Sequence, residues 1–235
     1  MQGLGKRTIE GELMDAPGLP VDEHERALAG LKRINRISGT SHVLWREVKR
    51  LLSVDSDRPL TLLDVATGSG DVPIKLGRRA RDGNLRLHVS GCDISDTAVE
   101  CARQQAAEAQ VDAKFFRLDA ITDSIPDGYD IITCSLFLHH LQDEQIQHLI
   151  RNMVEAAGRM VLISDLIRDR LGLALAYVGT RVLTRSRIVH VDGLRSVRAA
   201  LTINELSRLA GQTGANGFKI RRHWPRRMLF SWERS

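Results

Sequence analysis

The sequence lacks paired cysteines, long apolar runs and an N-terminal leader pattern, and these shortages narrow its expected location. Its three cysteines form no Cys-x-x-Cys pair, and a chain of 235 residues does not need disulfides to stabilise its core. The longest apolar stretch, 171–184, is interrupted by Arg181 and is too short to cross a bilayer. Residues 1–15 lack the apolar centre of a secretion leader. We therefore expect a cytoplasmic protein with no membrane span.

Aromatic residues are also scarce, at 4% of the chain, whereas positive charge is in excess, with a net charge of +5. The excess is uneven, because residues 181–235 hold 12 Lys and Arg against 3 Asp and Glu. Such a segment suits an anionic partner (nucleic acid, a carrier protein, phosphate or a membrane surface) or is simply an arginine-rich solvated surface. No aromatic-rich RNA-binding module is present in the sequence, so we do not expect a nucleic-acid partner.

The central part of the chain alternates between short apolar runs and helical patterns, which predicts an α/β fold. Five strands are expected, at 60–66, 86–92, 114–118, 129–138 and 160–164. Helical patterns lie between several of them, and this alternation is typical of parallel strands joined by right-handed crossovers in a doubly wound sheet.

The flanking segments are expected to add helices and a hairpin. Residues 1–20 have the character of an extended lead-in, and apolar residues repeat at helical spacing in two segments between 22 and 54. Residues 168–200 are expected to be a helical or irregular insertion. Thr202 and Glu205 have the spacing of a capping box at a helix start. The runs 217–222 and 227–232 are expected to form an antiparallel hairpin.

Three predicted strands end in acids around a glycine turn, which indicates a nucleoside site. Gly68 and Gly70 follow the first strand, and Asp93 and Asp119 end the second and third strands. Ligands of open parallel sheets bind at the carboxyl ends of the strands. There, glycines allow close backbone approach, and an acid after the second strand can accept hydrogen bonds from a ribose diol.

The same turn argues against a dinucleotide. NAD-binding turns carry a third glycine where this chain has Pro73, and Asp71 places negative charge where a pyrophosphate would lie. Asp64, before the turn, adds more negative charge. Such charge suits a cationic ligand with an amino group and no phosphate, and S-adenosylmethionine (SAM) has this chemistry.

Residues 60–165 resemble a class I SAM-dependent methyltransferase. The resemblance rests on LLDVATGSGDV, GCDIS, RLDA and DIITCSLFLHHL in that order. The segments before and after resemble bacterial small-molecule methyltransferases of quinone, polyketide and natural-product (secondary) metabolism. The family fold implies a Rossmann-like, doubly wound sheet of seven strands with one antiparallel C-terminal strand, N-terminal helices and a helical insertion after the fifth strand. It also divides the chain into a helical cap at 1–58 and a methyltransferase domain at 59–235, with the insertion at about 168–200 as a substrate lid.

The resemblance implies a set of cofactor-binding residues and no metal. Gly68 and Gly70 would line the methionine part of SAM, Asp93 would bind the ribose, and Asp119 would meet the adenine amino group. The full cofactor set is Asp64, Ala66, Thr67, Gly68, Gly70, Asp93, Ile94, Asp119, Ala120 and Ser135. The N-terminal helices, with Asn35 and Trp45, are expected to cover the cofactor.

Catalysis is expected beside the fourth strand. An acceptor hydroxyl is a weak nucleophile until it loses its proton, so a nearby base helps. His139 and His140 follow the fourth strand, and Asp165 ends the fifth, where it can orient an imidazole. We expect His139 to be the base, with His140 in reserve, although adjacent residues seldom point the same way and one of them can face the core. His190 and Arg195, in the insertion, are expected to contact the substrate.

The expected reaction is methyl transfer to a hydroxyl of a small aromatic, quinol or polyketide-type acceptor that is anionic or carrier-bound. The alternatives are a C-methyltransferase of quinone biosynthesis, an RNA methyltransferase, an NAD-dependent oxidoreductase and a SAM-binding protein without catalysis. Trp224, Phe230 and Trp232 are expected to be core residues.

Overall fold

The computed structural model describes residues 4–15, 19–54 and 58–234, and within them the expected α/β alternation is present. The helices are α1 (Val21–Ile37), α2 (Thr40–Val54), α3 (Asp71–Asp82), α4 (Asp96–Glu108), α5 (Asp143–Ala156), α6 (Arg170–Leu183), α7 (Arg187–Ala199) and α8 (Ile203–Ala210). The strands are β1 (Leu60–Val65), β2 (Leu87–Asp93), β3 (Ala113–Arg117), β4 (Tyr129–Ser135), β5 (Ala157–Leu166), β6 (Lys219–His223) and β7 (Arg227–Glu233). Short 3-10 turns lie at Leu13–Asp15 and Leu138–His140.

One seven-stranded sheet in the order β3-β2-β1-β4-β5-β7-β6 organises the chain. Strands β1 to β5 pair in parallel, and β7 runs antiparallel to both β5 and β6. The predicted doubly wound fold, with one antiparallel strand in the C-terminal hairpin, is confirmed. The order reverses between β1 and β4, so a crevice opens beyond their carboxyl ends, where α/β sheets bind ligands.

The central strands are apolar because helices cover both of their faces. Five of the six residues of β1 are buried, a pattern typical of parallel strands between two helical layers. On one face α5 buries its apolar stripe completely, through Ile146, Leu149, Ile150 and Met153. Each such side chain contributes about 1.5–3 kcal/mol by leaving water. This packing makes the sheet a rigid platform for the loops at its edge.

The expected insertion consists of two helices that lie over the carboxyl edge of β4 and β5. Helix α6 packs on α7, and α1 contacts both of them. The N-terminal segment is tied to α7, because the backbone amides of Leu13 and Met14 donate to Asp192 at 2.7 and 3.0 Å. In the part of the chain that the structure describes, no helix combines the length and apolar character needed to cross a membrane.

Most local predictions are confirmed, and two need correction. The hairpin is formed by β6 and β7, and Thr202 and Glu205 make the reciprocal hydrogen bonds of a capping box. Phe230 and Trp232 are core residues, but Trp224 is not, since 69% of its surface is exposed. It lies in the hairpin turn, beyond the last inward-facing position. The fourth strand ends at Ser135 rather than at 138, because Leu136 adopts a left-handed conformation and turns the chain away.

Candidate active site

The glycine turn after β1 has a left-handed backbone at both of its glycines. Gly68 and Gly70 have φ values of +55° and +78°. A Cβ at Gly68 would meet open space, whereas one at Gly70 would lie 3.0 Å from the ring of Phe115. Gly68 therefore faces the crevice, and Gly70 allows the turn to pack on β3. Ala66, immediately after β1, also has a positive φ of 52°, which costs a non-glycine residue about 1 kcal/mol or more.

Asp64 anchors the glycine turn to the sheet through hydrogen bonds. The carboxylate is buried and accepts hydrogen bonds from Thr133 Oγ1 at 2.6 Å and from Thr67 Oγ1 at 2.8 Å. Burial raises the pKa of Asp64 to about 7, against the opposing effect of the two hydroxyl donors. Asp64 and Thr67 thus connect β1, β4 and the glycine turn, and neither points its polar group at open solvent.

Asp93 is the last residue of β2, and Asp119 lies two residues beyond the end of β3, so both acids are at the carboxyl edge of the sheet. Asp93 accepts from the Gly68 amide at 2.8 Å and from the Ser95 amide at 3.0 Å, and each carboxylate oxygen keeps a free lone pair. Ile94 beside it is 57% exposed. Asp119 accepts from the Ile121 amide at 2.9 Å, which holds the pKa of its carboxyl below the usual value. An acid and an exposed apolar side chain in this arrangement suit a ribose and the face of a purine.

One buried polar group of the crevice has no hydrogen-bond partner among the residues that the structure describes. The buried Ser135 Oγ, at the end of β4, makes no hydrogen bond to any residue that the structure describes. Leu136 follows with φ of +57° and donates its amide to Ser164 O at 2.8 Å. A buried hydroxyl without a partner costs about 1–3 kcal/mol, and it is satisfied when a polar ligand group reaches it. Ala120 is buried behind Asp119. The residues present therefore fit SAM.

His139 and Asp165 form a buried dyad across β4 and β5. His139 Nδ1 lies 2.7 Å from Asp165 Oδ1, and the His139 amide donates to Oδ2 at 3.2 Å. The two residues are 5% and 1% exposed. Burial alone would lower the pKa of His139, but the charge and hydrogen bond of Asp165 outweigh it, so this pKa lies above its ordinary value. Burial would raise the pKa of Asp165, and His139 keeps it below the ordinary value instead.

A mainly apolar cavity of about 550 Å³ lies against this dyad. Side chains of α1, α6 and α7, together with the ends of β5 and β7, form its walls. Among them are Leu31, Ile34, Leu136, Leu166, Leu175, Ala176, Val189 and Val197. None of Gly68, Gly70, Asp93 and Asp119 lines it, so it is separate from the cofactor crevice and adjoins it at Leu136. A cavity of this size accommodates a small organic molecule.

The two histidines differ in their surroundings. His140 is exposed, whereas His139 is buried, and their rings lie 4.2 Å apart between centroids. Both line the cavity. Sequence alone left open which of them faces the core, and the structure places His139 on the carboxylate and His140 at the cavity wall.

Glu12 joins the two histidines from the N-terminal segment, and sequence reasoning missed it. The ligand atoms of Glu12, His139 and His140 all lie within 4.8 Å of one another. Ser196 of α7 donates to the Glu12 carboxylate. The carboxylate helps to raise the pKa of His139. An acid in an extended lead-in carries no pattern by which the sequence could have identified it. The cluster can relay a proton, and its donor set could also hold a cation.

The two expected substrate residues of the insertion lie apart from the main cavity. His190 Nε2 is 2.9 Å from Thr184 O, and His190 lines neither the main cavity nor its smaller neighbour of about 110 Å³. Arg195 lines the smaller cavity beside His139 and His140, where it donates to Gly11 O and pairs with Glu10 at 3.2 Å. The expected cover residues also differ from each other, since Asn35 lines the main cavity and Trp45 packs in the apolar layer of α2.

Residues 62–158 match the family model of the methyltransferase domain. The chain is 26% identical over 156 residues to a ubiquinone biosynthesis O-methyltransferase of Aeromonas salmonicida, covering 65% of this chain and 61% of that protein. It is 34% identical over 91 residues to a ubiquinone/menaquinone biosynthesis C-methyltransferase of Rhodopseudomonas palustris, covering 38% and 35%. The chain thus spans about three fifths or less of these relatives.

Solved structures show the same fold at lower identity. The magnesium protoporphyrin IX methyltransferase of Synechocystis, crystallised with bound SAH, superposes with a TM-score of 0.58 at 20% identity. That match covers 94% of this chain and 91% of the other. An O-methyltransferase family 2 protein of Planctomyces limnophilus, in complex with apigenin, gives a TM-score of 0.61 at 16% identity, covering 93% and 63%.

Proposed function

We propose that this protein, whose residues 62–158 match the family model of the methyltransferase domain, is a class I SAM-dependent methyltransferase that transfers a methyl group from SAM to a hydroxyl group of a small, largely apolar acceptor. The methyltransferase-domain match over residues 62–158 and the shared fold support the expected domain and its cofactor. The acceptor, the catalytic residues and the division into cap and lid are parts of the proposal.

One observation carries the proposal, namely the His139–Asp165 dyad beside a mainly apolar cavity. With Nδ1 on the Asp165 carboxylate, Nε2 is the nitrogen left to take a proton. His139 also lines the cavity, so a hydroxyl bound there comes within its reach. This arrangement is what general-base catalysis of methyl transfer requires.

The cofactor is held at the edge of β1 to β4. Bound SAM supplies an electrophilic methyl group on a sulfonium. Asp93 would accept hydrogen bonds from the ribose hydroxyls, Ile94 would pack on the adenine, and Asp119 and the Ala120 amide would meet the edge of the adenine. Ser135 Oγ would bind a polar group near the methionine part. Asp64 and Thr67 act indirectly, since their hydrogen bond fixes the glycine turn.

In the proposed reaction, the acceptor oxygen displaces sulfur from the methyl carbon. The acceptor oxygen gives its proton to His139 Nε2 and forms a bond to the methyl carbon, while the carbon–sulfur bond breaks and its electrons stay on sulfur. The imidazolium is stabilised by Asp165 and then returns the proton to solvent through the exposed His140. The helices α6 and α7, as a lid, and α1, as a cap, exclude water, which would otherwise compete for the base.

Methylation at carbon is the second candidate, because relatives of both kinds match. The C-methyltransferase relative is 34% identical, although over only 91 residues. Loss of a phenolic proton also activates the neighbouring ring carbon, so the same base serves. The position of the transferred methyl distinguishes the two, and it can be read by NMR of the product made with carbon-13 methyl-labelled SAM.

The first test is cofactor binding. We expect S-adenosylhomocysteine (SAH) to stabilise the protein in thermal unfolding and to bind in calorimetry, whereas NADH does neither. Stabilisation by NADH in place of SAH would sink the proposal.

The second test addresses the base. Wild type and His139→Gln are compared on a panel of phenol, quinol and polyketide-type acceptors. We expect turnover to fall by about 100-fold or more while SAH affinity stays within twofold to threefold. The control His148→Gln changes an exposed histidine of α5 that hydrogen-bonds to Asn152 and leaves turnover intact. Unchanged methylation in His139→Gln would remove the proposed base.

A further inference from the structure

Arg227 is a buried cation that has no anionic partner among the residues that the structure describes. It is the first residue of β7 and is only 4% exposed. The side chain donates to Thr40 Oγ1 and, at 3.5 Å, to Asn35 Oδ1, and its Nε has no partner. Burial lowers the pKa of Arg227 to about 10, against the opposing charge of Asp165, so the group is still cationic at neutral pH.

A buried charge without a counter-ion is costly, so its presence needs a reason. The guanidinium carries five N–H donors, and the two contacts above leave most of them for another acceptor. The neighbouring Arg226 shows the usual solution, since it pairs with Asp169. Arg227 lacks such a partner, yet it lines the 550 Å³ cavity together with Asn35 and Leu166, its register neighbour on β5.

Resting on the proposed function, we infer that the methyl acceptor carries a carboxylate, which Arg227 binds with the help of Asn35. The other walls of the cavity are mainly apolar, so an apolar acceptor with one anionic group matches them. His139 and Arg227 both line this cavity. The anionic group therefore sits close to the hydroxyl that His139 deprotonates, and it fixes which hydroxyl meets the base.

The position of Arg227 in the sheet favours the acceptor over the cofactor as the source of the carboxylate. SAM also has a carboxylate, but its glycine turn follows β1. In the strand order β1-β4-β5-β7, Arg227 lies three strands away, which is about 14 Å at the usual spacing of 4.8 Å. None of the residues around the glycine turn lines the cavity that Arg227 faces.

The experiment measures binding by calorimetry in the presence of saturating SAH, with a pentyl-substituted dihydroxybenzoate, its methyl ester and its carboxamide. We expect wild type to bind the carboxylate about tenfold or more tightly than either neutral analogue. In Arg227→Gln this preference falls to about twofold or less, while the affinity for the ester is unchanged. Arg226→Gln is the matched control, because it alters a paired arginine in the same cavity wall, and it keeps the preference.

The outcomes separate the two proposals. If wild type binds SAH but shows no preference for the carboxylate, or if Arg227→Gln keeps the preference, the inference is wrong and the proposed function stands. If Arg227→Gln weakens SAH but not methylthioadenosine, which lacks the amino-acid part, the carboxylate recognised is that of the cofactor, and the inference is again wrong. Failure of wild type to bind SAH overturns both.

A purely structural role for Arg227 predicts a different pattern. If its contacts to Thr40 and Asn35 mainly hold α1 and α2 on the sheet, Arg227→Met lowers the unfolding temperature without ligand and weakens acid and ester alike. With the role inferred here, Arg227→Met unfolds at or above the wild-type temperature, because a buried unpaired charge is gone, and loses only the carboxylate preference. Combined loss of stability and of ester binding would contradict the inference.

Discussion

Replacement of Asp165 by Asn tests the buried dyad without any knowledge of the acceptor. Asp165 accepts from His139 Nδ1 at 2.7 Å, from the His139 amide at 3.2 Å and from the Leu166 amide at 2.6 Å. The substitution keeps the volume but removes the charge, and it leaves a 5% exposed imidazole beside a neutral amide. Breaking a buried pair in this way costs about 3–5 kcal/mol of unfolding free energy. For a chain of this size the unfolding temperature falls on the order of 10 °C.

The loss depends on pH with a definite sign. The pKa of His139 is raised in the folded state, so its contribution is complete below its unfolded pKa of about 6.5 and is lost as pH rises through the folded value. The pKa of Asp165 is lowered, so its contribution is present above about pH 3.9 and is lost as pH falls through the folded value. The difference between wild type and Asp165→Asn is therefore largest between about pH 4 and 6.5.

Urea unfolding at about pH 5.5 and about pH 9 measures this difference. NMR titration of the imidazoles, with His139→Gln to assign the resonance, measures the pKa directly. We expect the His139 pKa to fall in Asp165→Asn, because the charge of Asp165, the largest contribution that raises this pKa against burial, is lost. The control Asp82→Asn removes an exposed partner of Arg78 and costs less than about 1 kcal/mol at either pH. An equal loss at both pH values, or an unchanged His139 pKa, refutes the reasoning.

Three further substitutions test the cofactor crevice and the scaffold. Ser135→Ala raises the unfolding free energy by about 1–3 kcal/mol, because it removes a buried hydroxyl that has no partner. It also weakens SAH binding about tenfold in calorimetry, and unchanged SAH binding would exclude the hydroxyl from the site. Gly70→Ala lowers the unfolding free energy in urea by about 2–3 kcal/mol, since its Cβ meets Phe115. The control Gly128→Ala, also at positive φ but in open space, lowers it by about 1 kcal/mol. Equal losses of unfolding free energy would contradict the crowding at Phe115. Thr202→Ala lowers stability by about 1 kcal/mol through its helix cap, and a loss below 0.3 kcal/mol would contradict this.

Local patterns determined the parts of the site whose geometry follows from neighbouring residues. The glycine turn and the acids Asp93 and Asp119 were predicted because parallel strands place their carboxyl ends at one edge, so chain order alone brings these residues together. The capping box at Thr202 needs only residues three apart. The resemblance of the central segment to methyltransferases rests on this same ordered set.

Contacts between distant segments decided the rest. His139 and His140 are adjacent in sequence, and only the packing of β4 against β5 placed the first on Asp165, 26 residues away. Trp224 has a large apolar side chain of the kind usually found in a core, but it lies exposed in a turn. Glu12 and Arg227 reach the cavity because α7 fixes the N-terminal segment and β7 inserts beside β5. No periodicity encodes such an approach, because it arises only when elements far apart in the chain share one core and enclose one cavity.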